Sequence, residues 1–205
     1  MKFIKKINRG LILTVAVILA LLIYLTVTHF SRYKDREEIR TVIHQFAQKY
    51  STAALLADED IKNINEKWSD EACELLSKKT VEQCKPYFVD NEKCVELLFN
   101  GTTTMVRGQN SSKLPIKELS VSLVNLRNFS FDGDTVSLTA EFSVKYTGPA
   151  TLYSNDERET EEISKTFLER ETLVLQKENG QWKLFYFDGD FFSYDYSSGY
   201  EEIGG

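Results

Sequence analysis

The chain has 205 residues, of which 42% are hydrophobic and 27% are charged, and this composition excludes a disordered or fibrous protein. Four of the 25 basic residues and none of the 31 acidic residues lie within residues 1–30, so residues 31–205 carry 31 acidic against 21 basic residues. Such an excess of negative charge repels phosphate backbones, and we therefore expect no nucleic-acid partner.

The strongest signal is the apolar run from Leu11 to Phe30, in which no residue carries a full charge. About twenty helical residues cover the roughly 30 Å of a bilayer's hydrocarbon core. The main alternative is a cleaved signal peptide, which has a shorter apolar region and a cleavage site flanked by small residues. No such site follows the run. The sequence therefore predicts a transmembrane helix at residues 11–30 that contacts the lipid bilayer.

The flanking charges predict the orientation of this helix. The basic residues before it are unopposed by acidic ones, whereas those after it are mixed with acidic residues. Because Lys and Arg favour the cytoplasmic side, we expect residues 1–10 to be a cytoplasmic basic segment. Residues 31–192 would then form an extracytoplasmic domain and residues 193–205 an acidic, tyrosine-rich tail. The predicted protein is a single-pass, type II protein of the cell membrane.

Helical spacing of apolar residues continues after the predicted span. It indicates an amphipathic helix from about Asp35 to Ala57, with Ile39, Ile43 and Phe46 on its buried face. His44 lies between two of these residues, and we expect it to be a partly buried structural side chain.

Two further helices are predicted from their capping and stop signals. Ser69 favours a helix start, after which Ala72, Leu75 and Leu76 would face inward. Pro86 ends that helical stretch. Asp90 is expected to open another, short helix that carries Cys94, Leu97 and Leu98.

Three cysteines, Cys73, Cys84 and Cys94, follow the predicted span. An odd number permits at most one internal disulfide, and Cys84–Cys94 is the easiest pair to imagine. The alternative is three reduced, partly buried thiols. No Cys-x-x-Cys motif is present and neither histidine is near the cysteines in sequence, so we predict no metal site.

The second half of the chain has the period of β-strands. Residues 135–146 alternate between apolar and polar side chains, which predicts a strand with one buried face. The run at residues 119–131 precedes it, and Asp132-Gly133-Asp134 joins the two as a hairpin turn. This first run loses its alternation at Leu123-Val124, where a β-bulge would bend the sheet.

A second hairpin is predicted from residues 166–176 and 181–191. Its turn contains Asn179-Gly180, the strongest short hairpin signal. The acidic stretch around residues 156–162 would join the two hairpins as a solvated loop. Helices followed by antiparallel strands place the chain in the α+β class.

The closing hairpin contains Lys177-Glu178-Asn179-Gly180-Gln181-Trp182-Lys183 between apolar runs. Together with the element order, it resembles the nuclear transport factor 2-like (cystatin-like) superfamily over about residues 35–192. The resemblance implies helices packed on a bent, cone-shaped, four-stranded antiparallel sheet. A single anchor before such a domain is similar to envelope components of bacterial secretion and conjugation systems. No catalytic residue of the superfamily's enzymes can be carried over.

The last predicted strand is apolar on both faces, with Trp182, Leu184 and Tyr186 on one and Phe185 and Phe187 on the other. Such a strand needs cover on both sides. Helices can cover one face, and the other is left to the chain's own tail, a protein partner or a small ligand. The predicted partner or pocket surface consists of Trp182, Phe185, Tyr186, Phe187, Phe191, Phe192 and Tyr194.

Our leading hypothesis is a non-enzymatic, membrane-tethered domain that docks other envelope proteins or associates with itself. The first alternative is a sensory module whose cone binds a small apolar ligand, with residues 148–165 as a movable lid. The second is an enzyme of isomerase or dehydratase type, which requires an ionisable side chain in the interior. No cofactor is predicted and no catalytic residue can be named.

Overall fold

The computed structural model describes residues 9–57, 60, 69–154 and 157–187. Within these ranges, three long helices precede four strands: α1 Arg9–Ala53, α2 Asp70–Cys84, α3 Glu92–Ser112, β1 Glu118–Asp132, β2 Thr135–Ser154, β3 Glu157–Glu178 and β4 Gln181–Phe187. A short 3-10 turn, Lys85–Tyr87, follows α2. The chain divides into two units, residues 1–38 and residues 39–205.

The first unit contains the N-terminal part of α1. Between Ile12 and Val27 its apolar side chains are exposed, which is the arrangement expected of a helix that faces lipid. By length and composition, this helix could cross a membrane. The two helices predicted before residue 57 are one helix of 45 residues. The orientation and the cell-membrane location stay predictions.

In the second unit, α1 buries the face that its periodicity predicted. Ile39, Ile43, Phe46 and Tyr50 are at most 2% exposed. The prediction for His44 is wrong, because this side chain is exposed. Successive residues of a helix point about 100° apart, so His44 points away from the buried face that carries Ile43.

Helix α2 begins where its capping signal predicted but buries a different face. The Ser69 hydroxyl accepts a hydrogen bond from the Ala72 amide at 3.2 Å. Leu75 is 69% exposed, so its predicted inward position is wrong. The buried face of α2 instead carries Cys73, Ser77, Thr80, Val81 and Cys84, which recur at helical spacing. The Ser77 hydroxyl donates to the Cys73 carbonyl at 2.8 Å, so this polar group is satisfied within the helix.

Helix α3 is longer than predicted and begins one residue later. Asn91, not Asp90, caps it, because the Asn91 side chain accepts from the Lys93 amide at 2.9 Å. The helix then runs for 21 residues to Ser112. Leu98 is buried as predicted, but Leu97 is 38% exposed.

The four described strands form one antiparallel sheet in the order β1-β2-β3-β4. This arrangement, with the helices before it, confirms the predicted α+β class. The predicted bulge is also confirmed, because the pairing steps from Leu123 opposite Phe142 to Asn125 opposite Glu141 and leaves Val124 out.

Both predicted hairpin turns are present. Gly133 lies between β1 and β2 with a φ of 57°. Asn179 and Gly180 join β3 to β4 with φ values of 54° and 79°. Two successive residues in this region of φ, which Asn and Gly tolerate best, are typical of a two-residue hairpin turn.

The predicted loop between the hairpins is wrong. Strands β2 and β3 pair without interruption from Thr135 opposite Gln176 to Ser154 opposite Glu157. Because β1 pairs with β2 only as far as Thr147, the part beyond it is a ribbon of two strands. A polar sequence does not prevent this, since the backbone groups of the two strands satisfy each other. The segment predicted to be a movable lid is therefore largely paired strand.

The core lies between the inner face of the sheet and the helices. The alternation predicted for β2 is confirmed, because Val136, Leu138, Ala140, Phe142, Val144 and Tyr146 are all at most 1% exposed. The Phe46 ring of α1 lies at the centre, 5.3 Å from the Phe88 ring and 5.5 Å from the Phe187 ring. One contiguous core thus joins helices and sheet.

All three cysteines are buried free thiols in the structure. Cys84 and Cys94 are not joined, which corresponds to the alternative of three reduced thiols. Burial raises the pKa of the Cys84 thiol to about 12, so at neutral pH it is protonated.

Candidate interaction surface

Strand β4 carries the residues of the predicted partner surface, and a β-bulge decides which of them are exposed. Leu184 lies opposite Leu175, whereas Tyr186 lies opposite Val174, so Phe185 is an extra residue in β4. One extra residue inverts the alternation that follows it. The predicted division of faces is therefore wrong for Tyr186 and Phe187.

Of the four predicted surface residues on this strand, Trp182 and Phe187 are buried, whereas Phe185 and Tyr186 are exposed. Trp182, Leu184 and Phe187 are at most 3% exposed, so they share the inner face. Phe185 and Tyr186 retain 39% and 37% of their surface. The remaining predicted residues, Phe191, Phe192 and Tyr194, lie outside the described residues.

The buried aromatic rings of β4 belong to the core. The Trp182 ring meets the Phe131 ring edge to face, with centroids 6.1 Å apart. The Lys177 ammonium group lies 5.0 Å from the centroid of the Trp182 ring, within the range of a cation–π contact. These contacts assign Trp182 to structure rather than to a partner surface.

The outer edge of β4 is held by the segment between α2 and α3. The Val89 amide donates to the Leu184 carbonyl at 2.9 Å, and Phe88 forms an isolated bridge with Leu184. The Cys94 thiol donates to the Phe185 carbonyl at 2.7 Å. Burial raises the pKa of Cys94, which keeps the thiol in its donor form. These contacts fix the backbone at the bulge and thereby position the Phe185 side chain.

A groove of about 480 Å³ lies at the turn between β3 and β4. It is lined by Glu82, Lys85, Pro86, Phe88, Asp90, Glu178, Asn179 and Lys183. Two of its charged residues form an ion pair, since Glu178 accepts from the Lys183 ammonium at 2.5 Å; Glu178 also accepts from the Asp90 backbone amide at 3.3 Å. The hydrogen bond from Lys183 holds the pKa of Glu178 below its usual value. The groove therefore offers a polar, charged border beside the exposed rings.

The metal-binding and nucleophilic potential of this surface can be judged from its acidic residues and thiols. Within the described part of the chain, no group of three or more His, Cys, Asp or Glu side chains could hold a metal ion. The thiols next to the surface have raised pKa values, which makes them poor nucleophiles. The surface thus presents two exposed aromatic rings and a charged border.

An ion-pair cluster on the outer face of the sheet was missed from the sequence. Glu141 of β2 accepts from Arg127 of β1 and from Arg170 of β3, both at 3.0 Å. The Glu141 side chain is only 8% exposed, so the pairing compensates its burial. Alternation places Glu141 on the outer face, but its partners depend on the register of three strands.

The inner face of the sheet carries ionisable residues, among them the buried Tyr146 and Glu171. Glu171 is 5% exposed and lies opposite Ala140, two residues from the buried Leu173. The sequence could have predicted this position, because the period-two alternation along β3 puts Glu171 on the same face as Leu173 and Leu175.

No family model matches the chain, and no curated protein matches it. Among solved structures it is similar to an NTF2-like protein with a cystatin-like fold from Novosphingobium aromaticivorans, at 12% identity and a TM-score of 0.33. That match covers 78% of this chain and 82% of the other. It is also similar to the intermembrane space region of the chloroplast protein ARC6, at 16% identity and a TM-score of 0.29, covering 64% of this chain and 94% of the other. The α+β architecture is established by the element order and the sheet of this chain itself.

Proposed function

We propose that the chain is a membrane-anchored protein-interaction domain that docks a partner protein on the exposed side of β4. The observation that carries the proposal is the contrast between the two faces of this strand. The inner face is filled by the protein's own side chains, whereas Phe185 and Tyr186 stay more than a third exposed.

The inner face leaves no room for an apolar ligand beside its central residues. A side chain that borders a ligand-sized void retains surface that a water molecule could touch. Phe46, Phe142, Tyr146 and Leu173 retain none. The described core is therefore packed at these positions, which argues against the apolar-ligand alternative there.

The packing of the inner face also argues against the enzyme alternative at these positions. Glu171 provides the ionisable inner side chain that this alternative requires. Its neighbours Ala140 and Leu173 are fully buried, so no space for a substrate lies beside them. The interaction proposal needs no such space.

Two exposed aromatic rings on a fixed backbone suit a docking surface. Aromatic residues are enriched in protein interfaces, where they bury a large area at a small cost in conformational entropy. Tyr186 is paired with Val174, and the Phe185 carbonyl is bonded to Cys94, so both rings are presented by ordered backbone. The charged groove next to them would form the polar border of the contact.

The anchor supports the proposed setting. A domain tethered to a membrane is confined to a thin layer, which raises its effective concentration for neighbouring proteins, so that modest interfaces suffice. We propose that the domain lies outside the cytoplasm and that its partners are envelope proteins. The resemblance to secretion and conjugation components is what favours an assembly of that kind.

The test is photo-crosslinking of the full chain in its native membrane. A photoreactive residue at position 185 or 186 should yield an adduct with one protein species. The matched control is the same residue at Ser120, which is exposed on β1 at the opposite edge of the sheet. Equal labelling at all three positions, or no adduct at 185 and 186, would refute the proposal.

A further inference from the structure

Two arginine side chains on the outer face of the sheet share one carboxylate. Arg127 of β1 and Arg170 of β3 each bind a different oxygen of Glu141 at 3.0 Å. The cluster therefore contains two positive charges and one negative charge. A single arginine would neutralise the nearly buried Glu141, so the burial of this carboxylate accounts for only one of the two arginines.

The surplus positive charge distinguishes this cluster from the other ion pairs described in and beside the sheet. Each of those joins one lysine to one glutamate and leaves no net charge: Lys117–Glu162, Lys145–Glu118 and Lys183–Glu178. The whole chain has a net charge of −6. A locally positive site on such a chain attracts an anionic group that the rest of the surface repels.

Both guanidinium groups are accessible to a second carboxylate. The Arg127 side chain is 58% exposed and the Arg170 side chain is 64% exposed, whereas the Glu141 side chain between them is 8% exposed. A guanidinium group has five N–H donors, of which each bond to Glu141 uses one. Because both groups bind the same carboxylate, they lie close together and are ordered before a ligand arrives, which lowers the entropic cost of binding.

The charge of the cluster selects the class of ligand. Thr139 of β2 lies opposite Arg127 on one side and Thr172 on the other, and neither threonine adds charge. The surplus of one positive charge is balanced by a singly charged carboxylate, whereas a doubly charged phosphate or sulfate leaves net negative charge. The planar guanidinium group also matches a carboxylate in shape. Since both arginines lie on an exposed strand face, a carboxylate carried by a docked macromolecule fits better than a free small molecule, which needs a concave site.

From these observations we infer that Arg127 and Arg170, positioned by Glu141, bind a single carboxylate that an aspartate or glutamate side chain of a partner protein supplies. Tyr186 pairs with Val174, which lies four residues from Arg170 on the same face of β3. Four strand residues span about 13 Å, so one partner surface reaches both the arginines and Tyr186. The protein source of the carboxylate rests on the proposed function, but the site itself does not.

The first test measures carboxylate binding to the full chain in detergent by NMR, with isotope-labelled arginine. Sodium acetate is the probe, sodium sulfate supplies a dianion, and sodium chloride at matched ionic strength is the reference. Acetate should shift the Nε–H resonances of Arg127 and Arg170 in a saturable manner. The resonance of Arg40, which is exposed on α1, should follow ionic strength alone. Equal, non-saturating shifts at all three arginines, or tighter binding of sulfate than of acetate, would overturn the inference.

Substitutions test the charge count of the site. Arg127→Gln removes the surplus charge and should weaken acetate binding at Arg170 by about threefold to tenfold. The matched control, Lys145→Gln, removes a positive charge from the same face outside the cluster and should leave acetate binding unchanged. Glu141→Gln adds a second surplus charge and should shift the preference towards sulfate. Equal effects of Arg127→Gln and Lys145→Gln would refute a site formed by the two arginines together.

The second test determines whether a protein supplies the carboxylate. In the native membrane, a carbodiimide should couple the amine introduced by Thr172→Lys to an aspartate or glutamate of a second protein. Mass spectrometry of the linked peptides separates this product from internal coupling to Glu141. The yield should fall by about threefold or more when Arg127→Gln is added, and it should stay unchanged with Lys145→Gln.

The outcomes separate this inference from the proposed function. Links only to another copy of this chain, or saturable acetate binding without any link to a second protein, would overturn the assignment of the carboxylate to a partner protein. Absence of photo-crosslinking at positions 185 and 186 alone would overturn the proposed function and leave acetate binding at the two arginines intact.

Discussion

A single hydroxyl group joins the first helix to the first strand, and its removal tests how the core is held together. Ser51 of α1 is 9% exposed. Its hydroxyl donates to the Ala47 carbonyl at 2.8 Å and accepts from the Val121 amide of β1 at 2.8 Å. Val121 is 2% exposed, so its N–H has little access to water once the hydroxyl is gone.

Thr52, the next residue, is a matched control. Its hydroxyl makes the same kind of bond within the helix, donating to the Gln48 carbonyl at 2.8 Å, but it is exposed. Ser51→Ala and Thr52→Ala each remove such a bond and each improve helix propensity. Only Ser51→Ala leaves a buried donor without a partner, which costs about 1–3 kcal/mol. A typical exposed substitution changes stability by no more than about 0.5 kcal/mol.

The assay is denaturant-induced unfolding of the full chain in detergent, followed by the fluorescence of its tryptophans. We expect Ser51→Ala to lower the free energy of unfolding by about 1–3 kcal/mol relative to Thr52→Ala. In a chain of this size, each kcal/mol lowers Tm by roughly 2–4 °C. Hydrogen exchange at the Val121 amide should accelerate only in Ser51→Ala. If the two variants differ by less than about 0.5 kcal/mol, the reasoning from an orphaned backbone donor is refuted.

Three further predictions concern other parts of the second unit. Gly148→Ala should destabilise the protein by about 1–3 kcal/mol in the same unfolding assay, because the new Cβ would lie 2.6 Å from the Tyr146 hydroxyl oxygen. The control is Gly108→Ala, which should be neutral or stabilising because nothing lies within 4 Å of its new Cβ. Cys84 should react with iodoacetamide only as fast as the protein unfolds, since burial raises its pKa to about 12, and rapid native-state labelling detected by mass spectrometry would contradict this. The lowered pKa of Glu178 means that its contribution to stability is present above the pKa of an unfolded-state glutamate and is lost as pH falls through the lower native value. Glu178→Gln should therefore be less stable than the unchanged chain at neutral pH, and its stability should depend less on pH in the acid range. If the two proteins unfold identically at neutral and at acid pH, the pairing of Glu178 with Lys183 is contradicted.

Much of the architecture could be predicted from the sequence because it is expressed in local periodicity. The buried face of α1, the alternation of β2, the bulge at Val124 and the Asn179-Gly180 turn each depend on a few neighbouring residues. In each case, burial of one face or a requirement for positive φ selects residue types at fixed spacing. The apolar run at residues 11–30 is a signal of the same local kind.

The placement of the candidate surface could not be predicted in this way. The bulge at Phe185 moves Phe187 into the core and Tyr186 out of it, and the residue types do not reveal it because residues 185–187 are all aromatic. It depends on the pairing with β3 and on the bonds from Val89 and Cys94 to the edge of β4.

The other differences between the predicted and the observed structure arise from contacts between segments that are distant in the sequence. The Arg127–Glu141–Arg170 cluster needs three strands in one register, and the polar ribbon after Thr147 forms because β2 and β3 satisfy each other's backbone groups. Leu75 is exposed because α2 instead buries the face that carries Cys73, Ser77 and Val81. The sequence by itself thus determined the α+β class, the buried faces of α1 and β2, and the two hairpin turns. Tertiary structure alone decided the register of the strands, the bulge at Phe185 and the exposure of the β4 side chains, because the free energy of these features belongs to contacts between segments far apart in the chain.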